Sequence, residues 1–109
     1  MADEGRQQSW SEYLDREREN KLFVRFVFSS DFREVEEFAV VYLTAVDGKS
    51  YEVMRYDCTK YEAVNVHQFF HKQAEKKYLK REKTFETLEE FIADVRKNWR
   101  IYRVKFLEK

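Results

Sequence analysis

With 109 residues the chain has room for one domain and too little for two. Its 43% hydrophobic and 17% aromatic content exclude a disordered chain, and the absence of proline with only 2 glycines argues against a loop-rich one. A formal net charge of zero removes the simplest electrostatic case for a nucleic-acid binder, and a lone cysteine, Cys58, excludes an internal disulfide.

Residues 1–8 read as a flexible end, and residues 9–109 as a single α+β domain. Ser9 and Glu12 have the spacing of a capping box, which predicts a short helix over residues 10–18. Residues 21–29 predict a strand, with Leu22, Val24, Phe26 and Phe28 on one face. Residues 36–46 form the most apolar segment, apolar on both faces, which predicts a central strand. Asp47-Gly48 is the strongest turn signal, because the pair suits the positive φ values of a type I′ hairpin. Residues 50–58 are then the return strand.

A two-residue loop places Val46 opposite Lys49, and the pairing runs back from there. Tyr42 would oppose Val53, Val40 would oppose Arg55 and Phe38 would oppose Asp57. Met54 and Tyr56 would join Ala39 and Val41 on the other face. A bulge would shift this by one residue and exchange the faces.

Residues 63–71 predict a fourth strand, which completes an antiparallel meander. Residues 72–83 hold six basic and two acidic side chains and predict a loop or a short exposed helix. Thr87 and Glu90 make a second capping box. Leu88, Phe91, Ile92, Val95, Trp99, Tyr102 and Phe106 then follow helical spacing. The expected fold is thus a four-stranded antiparallel meander packed against a long C-terminal amphipathic helix, with a short N-terminal helix. Residues 102–106 also alternate, so a last strand there is the alternative.

Residues 55–71 gather an arginine, an aspartate, the cysteine and both histidines. Arg55 and Asp57 are two apart on a strand and share a face, where an ion pair is worth little by itself. With His67 from the next strand on that face, the three form a candidate phosphodiester-cleaving set. His67 would be the general acid or base, Asp57 would orient it, and Arg55 would stabilise charge on phosphorane oxygens. Lys72, Lys76, Lys77, Lys80 and Arg81 would hold an RNA backbone. His67 and His71 are about 13 Å apart on a strand by its rise, too far to chelate one metal, so no metal and no cofactor is expected. Cys58 beside acidic Asp57 reads as a spectator thiol.

The features carry a resemblance. Arg55-Tyr56-Asp57, then Val66-His67-Gln68-Phe69, then the Thr87-Leu88-Glu89-Glu90 helix start resemble small prokaryotic proteins of the TumE-like toxin group and related uncharacterised families. The similarity covers roughly residues 36–100. It implies a short meander ending in a helix and a toxin–antitoxin role acting on RNA. Many relatives carry a His-x-His pair, where this chain has His67 and Phe69.

Two functions are therefore expected in competition. One is a non-enzymatic module that forms a homodimer or binds a partner protein through apolar surface. The other is a toxin-like ribonuclease, with RNA as its partner. No apolar run reaches the length of a membrane span and residues 1–10 are unlike a signal peptide, so a cytoplasmic location without membrane contact is expected. The Glu, Lys and Arg richness is compatible with a thermophilic source.

Overall fold

A computed structural model describes residues 6–109. Six strands run β1 (Gln7–Tyr13), β2 (Asn20–Phe28), β3 (Val35–Val46), β4 (Lys49–Thr59), β5 (Glu62–Gln68) and β6 (Glu75–Tyr78), followed by α1 (Phe85–Glu108). Each strand pairs antiparallel with the next, so spatial order equals chain order. The α+β class and the helix-backed antiparallel sheet agree with the expectation; the number of strands does not.

The N-terminal correction has a local cause. The expected helix over residues 10–18 is instead strand β1 and a turn, with Gln7 opposite Val27 and Tyr13 opposite Lys21. Asp15 decides it: one carboxylate oxygen accepts from the Glu19 and Asn20 amides at 3.1 and 2.9 Å, the other from Asn20 Nδ2 at 3.1 Å. An Asp side chain that satisfies backbone amides ahead of it builds a turn in place of helix hydrogen bonds. Arg18 adopts a left-handed φ of 58° there. Residues 1–5 of the expected flexible end lie outside the described residues, and Gln7 and Gln8 open β1.

The second added strand is β6, where a loop or short helix was expected. It pairs His67 with Lys76 and Asn65 with Tyr78. A four-residue strand with two lysines is typical of a sheet edge, where charge deters further pairing. Such a strand has no apolar alternation, and only its neighbour makes it one.

The hairpin forms as expected: Val46 opposes Lys49, with φ of 51° at Asp47 and 78° at Gly48. Farther along, a bulge leaves Val53 without a partner, since Leu43 opposes Glu52 and Tyr42 opposes Met54. The expected faces are therefore exchanged. Val40 opposes Tyr56 and Phe38 opposes Cys58, while Arg55 and Asp57 oppose Val41 and Ala39. Burial supplies the reason: Met54 and Cys58 go into the core beneath α1, and two charged side chains stay out of it.

Helix α1 lies on one side of the sheet, over β2, β3 and β4. Leu88, Phe91, Val95 and Trp99 meet Leu22, Val24, Phe38, Val40, Tyr42, Met54 and Val66 in the core. The helix begins earlier than its second capping box implied. Thr84 is the N-cap and accepts the Thr87 amide at 3.1 Å. It continues through residues 102–106, because Tyr102 stacks on Phe70 and Phe106 reaches Tyr51 at helical spacing. Among the described residues, no helix is long and apolar enough to cross a membrane.

Candidate functional site

The side of the sheet away from α1 carries the residues that the sequence singled out. One row crosses it as Phe23, Val41, Arg55, His67 and Lys76, each opposite the next. The adjacent row is Arg25, Ala39, Asp57, Asn65 and Tyr78. Arg55, Asp57 and His67 are thus brought to one face, with Arg55 directly opposite His67. The His67 ring stacks on Phe69, with centroids 6.0 Å apart.

The electrostatics of the cluster are those of a balanced ion network. Arg55 lies between two carboxylates: Nη1 is 3.6 Å from Glu52 Oε1 and Nε is 3.4 Å from Asp57 Oδ2. Arg25 similarly approaches Glu37 at 3.8 Å. Among the described residues, Arg55 Nε, Asp57 Oδ1 and Asn65 Oδ1 are buried and make no hydrogen bond. Asn65 is otherwise a clamp, donating from Nδ2 to the Asp57 and Ala63 carbonyls and to Glu62. Two acids beside one guanidinium leave it no surplus positive charge for a phosphate.

The basic segment does not form one surface. Lys76 shares the row of His67 but binds Glu62, which holds that carboxyl below its usual range. Lys77 opposes Val66, on the reverse side of the strand. Arg81 is drawn to the helix, where it pairs with Glu90 and lies 5.7 Å from the Phe91 ring centroid. Lys72 and Lys80 are exposed in the flanking connections. His71 turns to Gln68 and Glu75, away from His67. Cys58 is buried, and burial pushes its thiol up, the wrong direction for a nucleophile.

The outer side of α1 is a second surface. Ile101, Val104 and Leu107 are 54%, 52% and 47% exposed, although the opposite side of the helix is seated on the core. Arg100, Ile101, Val104 and Lys105 line a shallow trough there. Nearer the helix start, Glu86, Glu89, Glu90 and Ala93 line another.

Over residues 4–109 the sequence matches a family described as a domain of unknown function, DUF7718. The chain belongs to the DUF7718 family. No curated protein and no solved structure matches it.

In this DUF7718 chain, two polar networks at the sheet–helix boundary escaped the sequence reading. In the first, the Tyr56 and Tyr102 hydroxyls both donate to Asp94 Oδ2 at 2.7 Å, and Asn98 Nδ2 donates to Oδ1 at 2.8 Å. Burial first, and the Asp94 hydrogen bond second, raise both phenol pKa values. Neither phenol is poised to act as a base; each is a fixed donor. The legible signal was Asp94, Asn98 and Tyr102 at successive steps of four, bordering the apolar stripe. In the second, Asn20 Oδ1 accepts from Tyr42 and Thr44 at 2.6 and 2.8 Å, and Arg103 Nε donates to Thr44 Oγ1 at 3.0 Å. Tyr42 and Thr44 share a strand face, but nothing local connects them to residues 20 and 103, so no sequence pattern marks this network.

Proposed function

We propose that the protein is a non-enzymatic interaction module, located in the cytoplasm, that docks a protein through the outer side of α1. The observation that carries this reading is the half-exposed run of Ile101, Val104 and Leu107 on a helix whose other side already satisfies the core. Apolar surface grouped in this way favours association. The balanced charges around Arg55 fit the same reading, because a flat neutral network suits a scaffold better than a phosphate site.

Site-specific photo-cross-linking in cells tests it. A photoreactive residue at position 104 is expected to give a discrete protein adduct, and one at position 25, on the far side of the sheet, is expected to give none. Equal labelling at both positions, or none at either, would overturn the module.

One observation favours a second reading, a toxin-like ribonuclease: Arg55 lies directly opposite His67, with Asp57 beside it. The resemblance to the TumE-like group supports the same reading. The purified protein is expected to leave RNA intact across pH and divalent metals. Cleavage that is lost in both His67→Ala and Arg55→Ala, with folding retained, would establish the enzyme instead.

A further inference from the structure

Helix α1 is divided by charge along its length. Glu86, Glu89, Glu90 and Asp94 precede every cation in it, whereas Arg96, Lys97, Arg100, Arg103 and Lys105 follow, with Glu108 at the end. Several of these have partners within the chain: Asp94 with Tyr56, Arg96 with Glu12 and Arg103 with Thr44, while Arg100 lies over the Trp99 ring and Lys105 over the Phe70 ring. Glu86, Glu89 and Glu90 line an acidic trough and Arg100 and Lys105 a basic-apolar one, on the same side of the helix, and Lys97 is exposed between them. Glu90 also pairs with Arg81. The helix dipole accounts for acids in the first turn and bases in the last, because its influence fades within a turn. Arg100 and Lys97 lie well before the last turn, and a dipole gives no reason for exposed Ile101 and Val104.

We infer that α1 pairs antiparallel with α1 of a second copy, about a two-fold axis crossing at the level of Val95. This rests on the reading of the outer side of α1 as the docking surface, and it names the occupant. Residues equally distant from position 95 then face each other. Glu90 meets Arg100 of the second copy. Glu86 meets Val104 with Lys105 beside it, and Glu89 meets Ile101 beside Arg100. Ala93 meets Lys97 near the axis, where a small side chain allows the helices to approach. Two-fold symmetry makes each meeting occur twice.

The charges select this arrangement over its alternatives. Parallel pairing would set the acidic half against itself and the basic half against itself. An antiparallel crossing centred on Val104 would stack the apolar residues and set Arg100 against Glu108, but it would put Lys105 against Arg103 and leave Glu86, Glu89 and Glu90 outside the contact. The crossing at Val95 joins the acidic half of each helix to the basic half of the other. The stems of Glu86, Glu89 and Lys105 then cover Ile101 and Val104 while their charged ends reach one another.

Sedimentation of the full chain over a range of concentrations tests the pairing. Association at low salt is expected, weakened in about 0.5 M salt, where the screening length is only a few ångströms. Glu86→Lys with Glu89→Lys is expected to weaken association at least tenfold, and so is Arg100→Glu with Lys105→Glu. All four side chains are exposed, so circular dichroism should show unchanged folding. Mixing the two charge-reversed proteins restores opposite charges between positions 86 and 89 of one and 100 and 105 of the other, leaves a single meeting of Glu90 with the reversed position 100, and should restore most of the association. A parent protein that stays monomeric, reversed variants that associate as the parent does, or a mixture that stays monomeric would each overturn the inference. A cross-link from position 104 to a different protein, with the chain itself monomeric, would overturn self-pairing and leave the module standing.

Discussion

Phe91→Ala is expected to destabilise the protein by about 3–5 kcal/mol, a large fraction of the total stability of a domain this size. Phe91 is the ring on which helix and sheet are joined. It stacks on Tyr56 with centroids 3.9 Å apart and planes 5° from parallel, and it meets the Phe38 ring at 5.9 Å and a steep 62°. Arg81 covers its outer side. Alanine loses the transfer free energy of the ring and leaves a cavity that the flat Tyr56 ring cannot fill by a small shift. Urea denaturation should show a much lower midpoint with an unchanged slope. Phe91→Leu should lose less than half as much, since it retains most of the volume. A change under about 1 kcal/mol for alanine would mean that the helix is held elsewhere.

Asp94→Ala is expected to cost about 2–4 kcal/mol, because it leaves two half-buried phenols without their charged acceptor. The companion expectation concerns alkali. The Tyr56 and Tyr102 phenols are raised in the fold, and burial pushes Tyr42 up to about 12. A phenol whose folded pKa lies above its unfolded value of about 10 contributes stability that is complete below that value. The contribution is lost as pH rises from there through the folded pKa. Stability should therefore be insensitive to these groups at neutral pH and fall steeply above about pH 10, with phenolate absorbance appearing together with unfolding. In Asp94→Ala the carboxylate's share of the upshift is gone, so Tyr56 and Tyr102 should titrate earlier. Phenols that ionise near pH 10 in the intact fold would show that the network is open to water.

The candidate cluster was legible for a simple reason. Arg55 and Asp57 share a face under any register, because their separation equals the strand period. His67 falls on the same face because the β4–β5 pairing sets it directly opposite Arg55. Which face they share was not legible, because one unpaired residue, Val53, exchanges the two. That exchange took the three side chains away from Phe38 and Val40 and placed them on the side without a helix.

Elements that depend on near neighbours in the chain were determined by the sequence alone. Asp47-Gly48 makes its own turn, because Asp tolerates a positive φ and Gly, with no Cβ, adopts one freely. The stripe from Leu88 to Phe106 makes its own helix, because seven apolar residues recur at the helical period. Strands β2 to β5 follow from β-branched and aromatic runs between turn signals. The remainder was decided by tertiary structure. Strands β1 and β6 lack an apolar alternation and become strands only because β2 and β5 offer unpaired backbone to them. The Val53 bulge exists because α1 covers one side of the sheet and draws Met54, Tyr56 and Cys58 toward it. Asp94 meets Tyr56 only when the helix is seated. In each case the decisive free energy comes from groups far apart in the chain, which no window of local sequence contains.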